Sequence, residues 1–149
     1  MQTMKLALAL ALAATAALLL PMAAKAETVR LDTGRLVSMA AHGGGEASPL
    51  AIAPDGRPMT ALLRIPAGKV LAPHGGDGAA LLTVISGTIS WGDGDTIDPA
   101  REQKFGPGSI LLAKGVHWAA ARDGDVLAQV VRIFDGSKLA PSVSAQAGQ

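Results

Sequence analysis

The sequence predicts an all-β domain, a barrel or sandwich of about eight short strands, following a cleaved leader. Three observations predict it. Short apolar runs recur along the chain, the separators between them are good turn formers, and no segment past residue 26 keeps helical periodicity over three turns.

The order of elements follows from those runs. Residues 1–26 carry Lys5 in a short basic start, an apolar stretch from Leu6 to Leu20, Pro21 and the small-residue site Ala24-Lys25-Ala26. That is the pattern of a secretory signal peptide, with an apolar stretch short of the roughly 20 residues that span a bilayer. The chain released by cleavage is therefore expected to make no stable membrane insertion. Residues 27–48 read as an N-terminal strand near Arg35 to Met39 and a glycine-rich loop, His42-Gly43-Gly44-Gly45-Glu46. Strands are then expected at Leu50 to Ala53, Met59 to Ile65, Val70 to Ala72, Ala79 to Ile85, Thr88 to Trp91, Ser109 to Ala113, His117 to Ala121 and Val126 to Ile133. Pro54-Asp55-Gly56, Pro66-Ala67-Gly68, Ser86-Gly87, Gly106-Pro107-Gly108 and Asp123-Gly124-Asp125 supply the turns. Asp98 to Lys104 reads as a helical turn. The barrel is assigned to residues 49–136, and residues 137–149, rich in Ser, Ala and Gln, read as a disordered tail.

Composition narrows the function classes. With 13 basic and 12 acidic residues, and with Lys5 and Lys25 inside the leader, the mature chain has a slight acidic excess. No nucleic-acid partner is indicated. Cysteine is absent, so an exported chain must rely on packing without disulfides, and thiolate metal sites are excluded. The leader implies a periplasmic or secreted location.

The segment Gly68 to Gly87 and the later segment Gly108 to His117 resemble the cupin family, small jelly-roll barrels that often hold one metal among histidines. The family's first motif places a Gly, two His separated by one residue, a Glu and a closing Gly. Gly68, His74 and Gly87 fall in that register, whereas Gly76 stands at the second His and Ala80 at the Glu. His117 matches the last His of the second motif, with Ala113 where a Pro is usual. Trp91 to Asp98 looks like the inter-motif segment of small exported cupins. The resemblance covers roughly residues 58 to 134 and implies a cupin-type jelly roll with a degenerate metal site.

Two imidazoles are an incomplete ligand set. The resemblance thus implies no cofactor, or a weakly bound divalent ion such as iron, manganese or zinc, held by His74 and His117 with Asp77 as a recruited carboxylate. Strand alternation sets the rest of the wall: if His117 points inward, so do Ala119 and Ala121, while Trp118 and Ala120 point out. On the last strand Arg132 would be costly in an apolar interior, which selects Leu127, Gln129 and Val131 as the inner face and makes Gln129 a polar wall residue. Arg64, if inward, would meet a carboxylate.

His42-Gly43-Gly44-Gly45 is similar to an esterase oxyanion loop, but no Gly-x-Ser-x-Gly elbow exists and the chain is too short for that fold. Asp93, Asp95 and Asp98 lack the spacing of a calcium loop. The aromatic residues, two Trp and two Phe, read as core, with an outward Trp118 offering an anchor for a homodimer. The expected function is an exported barrel that binds a small molecule through His74, His117, Gln129 and Arg64. The alternatives are a metal-dependent oxygenase or isomerase with an unusual third ligand, and a structural barrel working through its outer faces.

Overall fold

The structure is a computed structural model that describes residues 27–134. The chain divides into two units, Met1–Arg30 and Leu31–Gln149. Of the first unit only residues 27–30 are described, as exposed chain without regular structure. The expected leader at 1–26 and tail at 137–149 lie outside the described residues. No helix among the described residues is long and apolar enough to cross a membrane.

The second unit is all-β, as its turn-punctuated apolar runs predict. Ten strands occur among the described residues: β1 Met39–Ala41, β2 Gly45–Ile52, β3 Pro58–Ile65, β4 Val70–His74, β5 Ala79–Ser86, β6 Ile89–Asp93, β7 Gln103–Phe105, β8 Ile110–Lys114, β9 His117–Ala120 and β10 Val126–Ile133. They form a six-stranded sheet ordered β1-β2-β3-β10-β5-β8 and a four-stranded sheet ordered β4-β9-β6-β7. Every pairing is antiparallel.

Several features differ from the sequence reading. The strand expected near Arg35 to Met39 begins only at Met39, after a 3-10 turn over Thr33–Arg35 capped by the Asp32 carboxylate. β2 runs through residues 48 and 49, so the N-terminal hairpin belongs to the large sheet instead of preceding the barrel. The helical turn expected over 98–104 is a single 3-10 turn, Pro99–Arg101, capped by the Asp98 carboxylate. The remainder of that stretch becomes β7, a strand too short to leave a periodic signal.

The two sheets face each other over an apolar core. Ile65, Leu71, Val84, Ile89 and Val126 are fully buried, each contributing roughly 1.5–3 kcal/mol relative to an exposed side chain. Large and small residues alternate across the strands: Ala128 on β10 lies between Leu63 of β3 and Val84 of β5, and Ala119 on β9 lies between Leu71 and Trp91. Of the ion pairs among the described residues, those of Arg57, Arg64 and Lys104 lie at the surface, and that of Arg122 with Glu102 is partly buried. Asp125 accepts from Arg64 and from the Ala67 backbone, tying the β3–β4 turn to the start of β10.

Trp118 departs from its expected outward exposure. It alternates away from Ala119 as parity requires, yet it is only 1% exposed. Its ring lies over Gly92, its cross-strand neighbour, where a Cβ would come within 2.2 Å of the indole. A buried Trp118 is no free surface anchor for a second copy.

Candidate functional site

A cavity of about 850 Å³ opens at one end of the barrel. Buried Leu63, Leu71, Leu82 and Trp91 form its apolar floor, and exposed Met39, Arg57, Arg132 and Phe134 stand at its rim.

All three histidines of the chain meet in it. His74 ends β4 and His117 begins β9, paired across the small sheet. The Nδ1 of His74 lies 2.7 Å from the Ala72 carbonyl, and that of His117 lies 3.0 Å from the Gly115 carbonyl. A carbonyl can only accept, so each Nδ1–H donates, and the neutral ring is left with its lone pair on Nε2. The two rings sit edge to face, with centroids 4.5 Å apart. Trp91 stacks on the other side of His117 at 4.4 Å.

The third imidazole comes from the N-terminal hairpin. His42 stacks on His74 with centroids 3.6 Å apart and ring planes 9° from parallel. Its backbone is in the left-handed region, φ 48°, which His tolerates better than most residues. The three residues His42-Gly43-Gly44 connect β1 and β2, and Gly44 lets this turn press against β4: a Cβ there would lie 2.2 Å from the Val70 carbonyl oxygen. The Ala72 backbone links the stacked pair, its N–H donating to the His42 carbonyl and its carbonyl accepting from His74. The sequence predicts a glycine-rich loop here. It is a tight hairpin, and two flanking runs that pair around a short Gly-containing turn were the available signal.

The other proposed site residues lie elsewhere. Gln129 faces outward and its amide approaches the Thr60 hydroxyl at 3.4 Å. Arg64 is also outward, paired with Asp125 at 2.8 Å. Asp77 is exposed and outside the cavity lining, although its neighbours Gly76 and Gly78 belong to it. The inner face of β10 is therefore Val126, Ala128, Val130 and Arg132, the reverse of the expected set. The desolvation argument fails for Arg132 because it sits near the end of the strand, at the rim, where the guanidinium stays in water.

Electrostatics at the site have one sign. Among the described residues three histidines, Arg57 and Arg132 line the cavity, and no Asp or Glu does. His42 is pushed down to about 4, by burial against its neighbours first and then by His74, Arg132 and His117. Burial also lowers His74, with Arg132 adding to the effect, and lowers His117, with His74 adding. All three imidazoles are neutral at pH 7.

No family model matches the chain, and no curated protein matches its sequence. Solved structures do. The polyketide cyclase RemF from Streptomyces resistomycificus aligns with a TM-score of 0.56 at 16% identity, over 72% of this chain and 80% of its own. A predicted oxalate decarboxylase from Thermotoga maritima gives 0.54 at 13% identity, over 71% and 99%. The cupin domain of Schizosaccharomyces pombe Cnp3 gives 0.54 at 11% identity, over 73% and 76%. The chain has the cupin fold. At such identities the likeness carries the fold and no activity.

Within the cupin frame the metal ligands can be tested one by one. Gly76 and Ala80, at the positions of the second His and the Glu, both line the cavity and leave room in place of donors. Arg132 pairs directly opposite Ala80, so a cation stands beside the place of the family's carboxylate. An imidazole lone pair lies in its ring plane, and two parallel rings 3.6 Å apart cannot both aim at one ion at a Zn–N distance of about 2.0–2.1 Å. Among the described residues no group of three or more His, Cys, Asp or Glu side chains is arranged to hold a metal ion. The side chains present do not fit the cupin metal.

Proposed function

We propose that this chain is an exported small-molecule-binding cupin whose ligand occupies the cavity between His42, His74, His117 and Arg132, without a metal centre of the family's usual kind. One observation carries the reading: an 850 Å³ cavity joins an apolar floor to a set of neutral imidazoles and guanidinium groups. That combination, a mostly apolar concavity with a few convergent polar groups, is what small-molecule sites look like. The basic start, apolar stretch and Ala24-Lys25-Ala26 site of residues 1–26 support the exported setting.

The competing reading is a metal-dependent enzyme of the oxygenase or isomerase type, with His42 as the missing third ligand. In its favour, carbonyl-anchored Nδ1 atoms free Nε2 on His74 and His117, the usual preparation of a ligating histidine. Against it, His42 would have to leave its stack, and Arg132 would repel the ion.

Two measurements separate the readings. Metal content after purification without chelator is expected near zero. About one equivalent of iron, manganese or zinc, lost on His74→Ala or His117→Ala, would overturn the proposal. A thermal-shift panel of small acids, alcohols, amines and sugars is expected to contain compounds that raise Tm by mass action. Ala80→Phe, which fills the cavity from β5, should abolish those shifts. Shifts that survive the filled cavity would place binding elsewhere.

A further inference from the structure

We propose that the cavity selects organic acids with an apolar body, and that Arg132 is the residue that holds their carboxylate at the rim. The inference rests on the binding reading above and specifies its ligand class.

A charged rim and an apolar floor define two requirements at once. Among the described residues the lining contains five groups able to carry positive charge and none able to carry negative charge. Of the two arginines, Arg57 is already engaged: its Nε donates to Asp55 at 2.7 Å, and its guanidinium lies 3.9 Å from the Phe134 ring centroid. Arg132 forms no ion pair among the described residues, although its charge reaches far enough into the cavity to depress His42 and His74. A planar, permanently charged fork without an ion-pair partner among the described residues, next to water on one side and imidazoles on the other, matches a carboxylate in geometry and in charge.

Asp93 is set apart from this role. Its charge acts on His117, but it accepts from the Trp91 indole N–H and lies outside the cavity lining. The floor gives the second half of the specificity. Leu63, Leu71 and Leu82 carry no polar side-chain group and the Trp91 N–H is already donated to Asp93, so the floor offers no polar partner to a hydroxyl-rich ligand such as a sugar. A bare acetate would leave most of the cavity unfilled.

The test uses the secreted chain and four probes: octanoate, octan-1-ol, octylammonium and acetate, each followed by calorimetry and thermal shift. Octanoate is expected to bind best, octan-1-ol more weakly, octylammonium and acetate weakest. Arg132→Ala should cost octanoate at least about tenfold in affinity and leave octan-1-ol unchanged. Arg132→Lys should retain part of the preference, and circular dichroism of both variants controls for folding. Octan-1-ol matching octanoate, or octanoate binding unaltered by Arg132→Ala, would overturn the acid specificity while leaving cavity binding intact. Octanoate binding that persists in Ala80→Phe would overturn both. Failure of all four probes would overturn the acid inference, and the broader panel would then judge the binding reading by itself.

Discussion

His42 holds an uncommon backbone conformation, a stacking contact and a depressed proton affinity at the same time, and the last of these has a direction in pH. A histidine ordinarily titrates near 6.5, but in the folded chain His42 does so at about 4. Between those values the unfolded chain binds the proton and the folded chain does not. Stability from this group is therefore complete above pH 6.5 and is lost as pH falls toward 4. His74 and His117 act in the same direction. Because His42 keeps one side toward solvent, screening reduces the effect below the full linkage value. Urea unfolding at pH 7 and pH 4.5 should show a larger loss for the native chain than for His42→Gln, and equal losses would refute the assignment. At pH 4.5 and above, the acids held low by arginine partners, Asp55 and Asp125, remain ionised in both chains and do not blur the comparison.

The hairpin β1–β2 shows how an element carries a side chain to the site. Gly44→Ala would drive a Cβ against the Val70 carbonyl, which is backbone and cannot rotate aside. The expected cost is roughly 1–3 kcal/mol, typical of overpacking, together with loss of the His42–His74 stack. Chemical denaturation would register the first, and the histidine ring resonances in an NMR spectrum the second. Unchanged resonances would mean that the turn does not set the ring. This hairpin is also where sequence reasoning went furthest astray. His74 and His117 were legible because each sits in a spaced motif on a strand, and the small residues Gly76 and Ala80 stood out against that frame. His42 was not, because three successive glycines mask a strand pair as a loop. The facing of β10 is hidden for a different reason: the burial cost that would exclude Arg132 from the inner face vanishes near the end of the strand, which reaches water. Gln129 looks useful only under the reverse facing.

Across the whole molecule, the absence of cysteine leaves closure of the two sheets to apolar packing. Leu71 is the clearest place to measure it, being fully buried, opposite Ala119 and against the hairpin at Gly45. Leu71→Ala should cost about 2–5 kcal/mol, lowering the urea midpoint with little change in m. A loss well below that range would mean the sheets can collapse around the gap. The all-β class, the order of the principal strands and the jelly-roll likeness were all present in the turn spacing and the two motif frames. What no strand pattern encodes is which rim residues escape partnership, since that depends on the charges brought near by topology. Arg132 belongs to this group.

The Ala72 backbone, whose N–H donates to the His42 carbonyl and whose own carbonyl accepts from His74, makes a three-residue turn part of the cavity wall. The sheets and the lining at the mouth are thereby housed in different stretches of polypeptide. Exchanging that turn for another would re-line the opening while both walls stayed as they are.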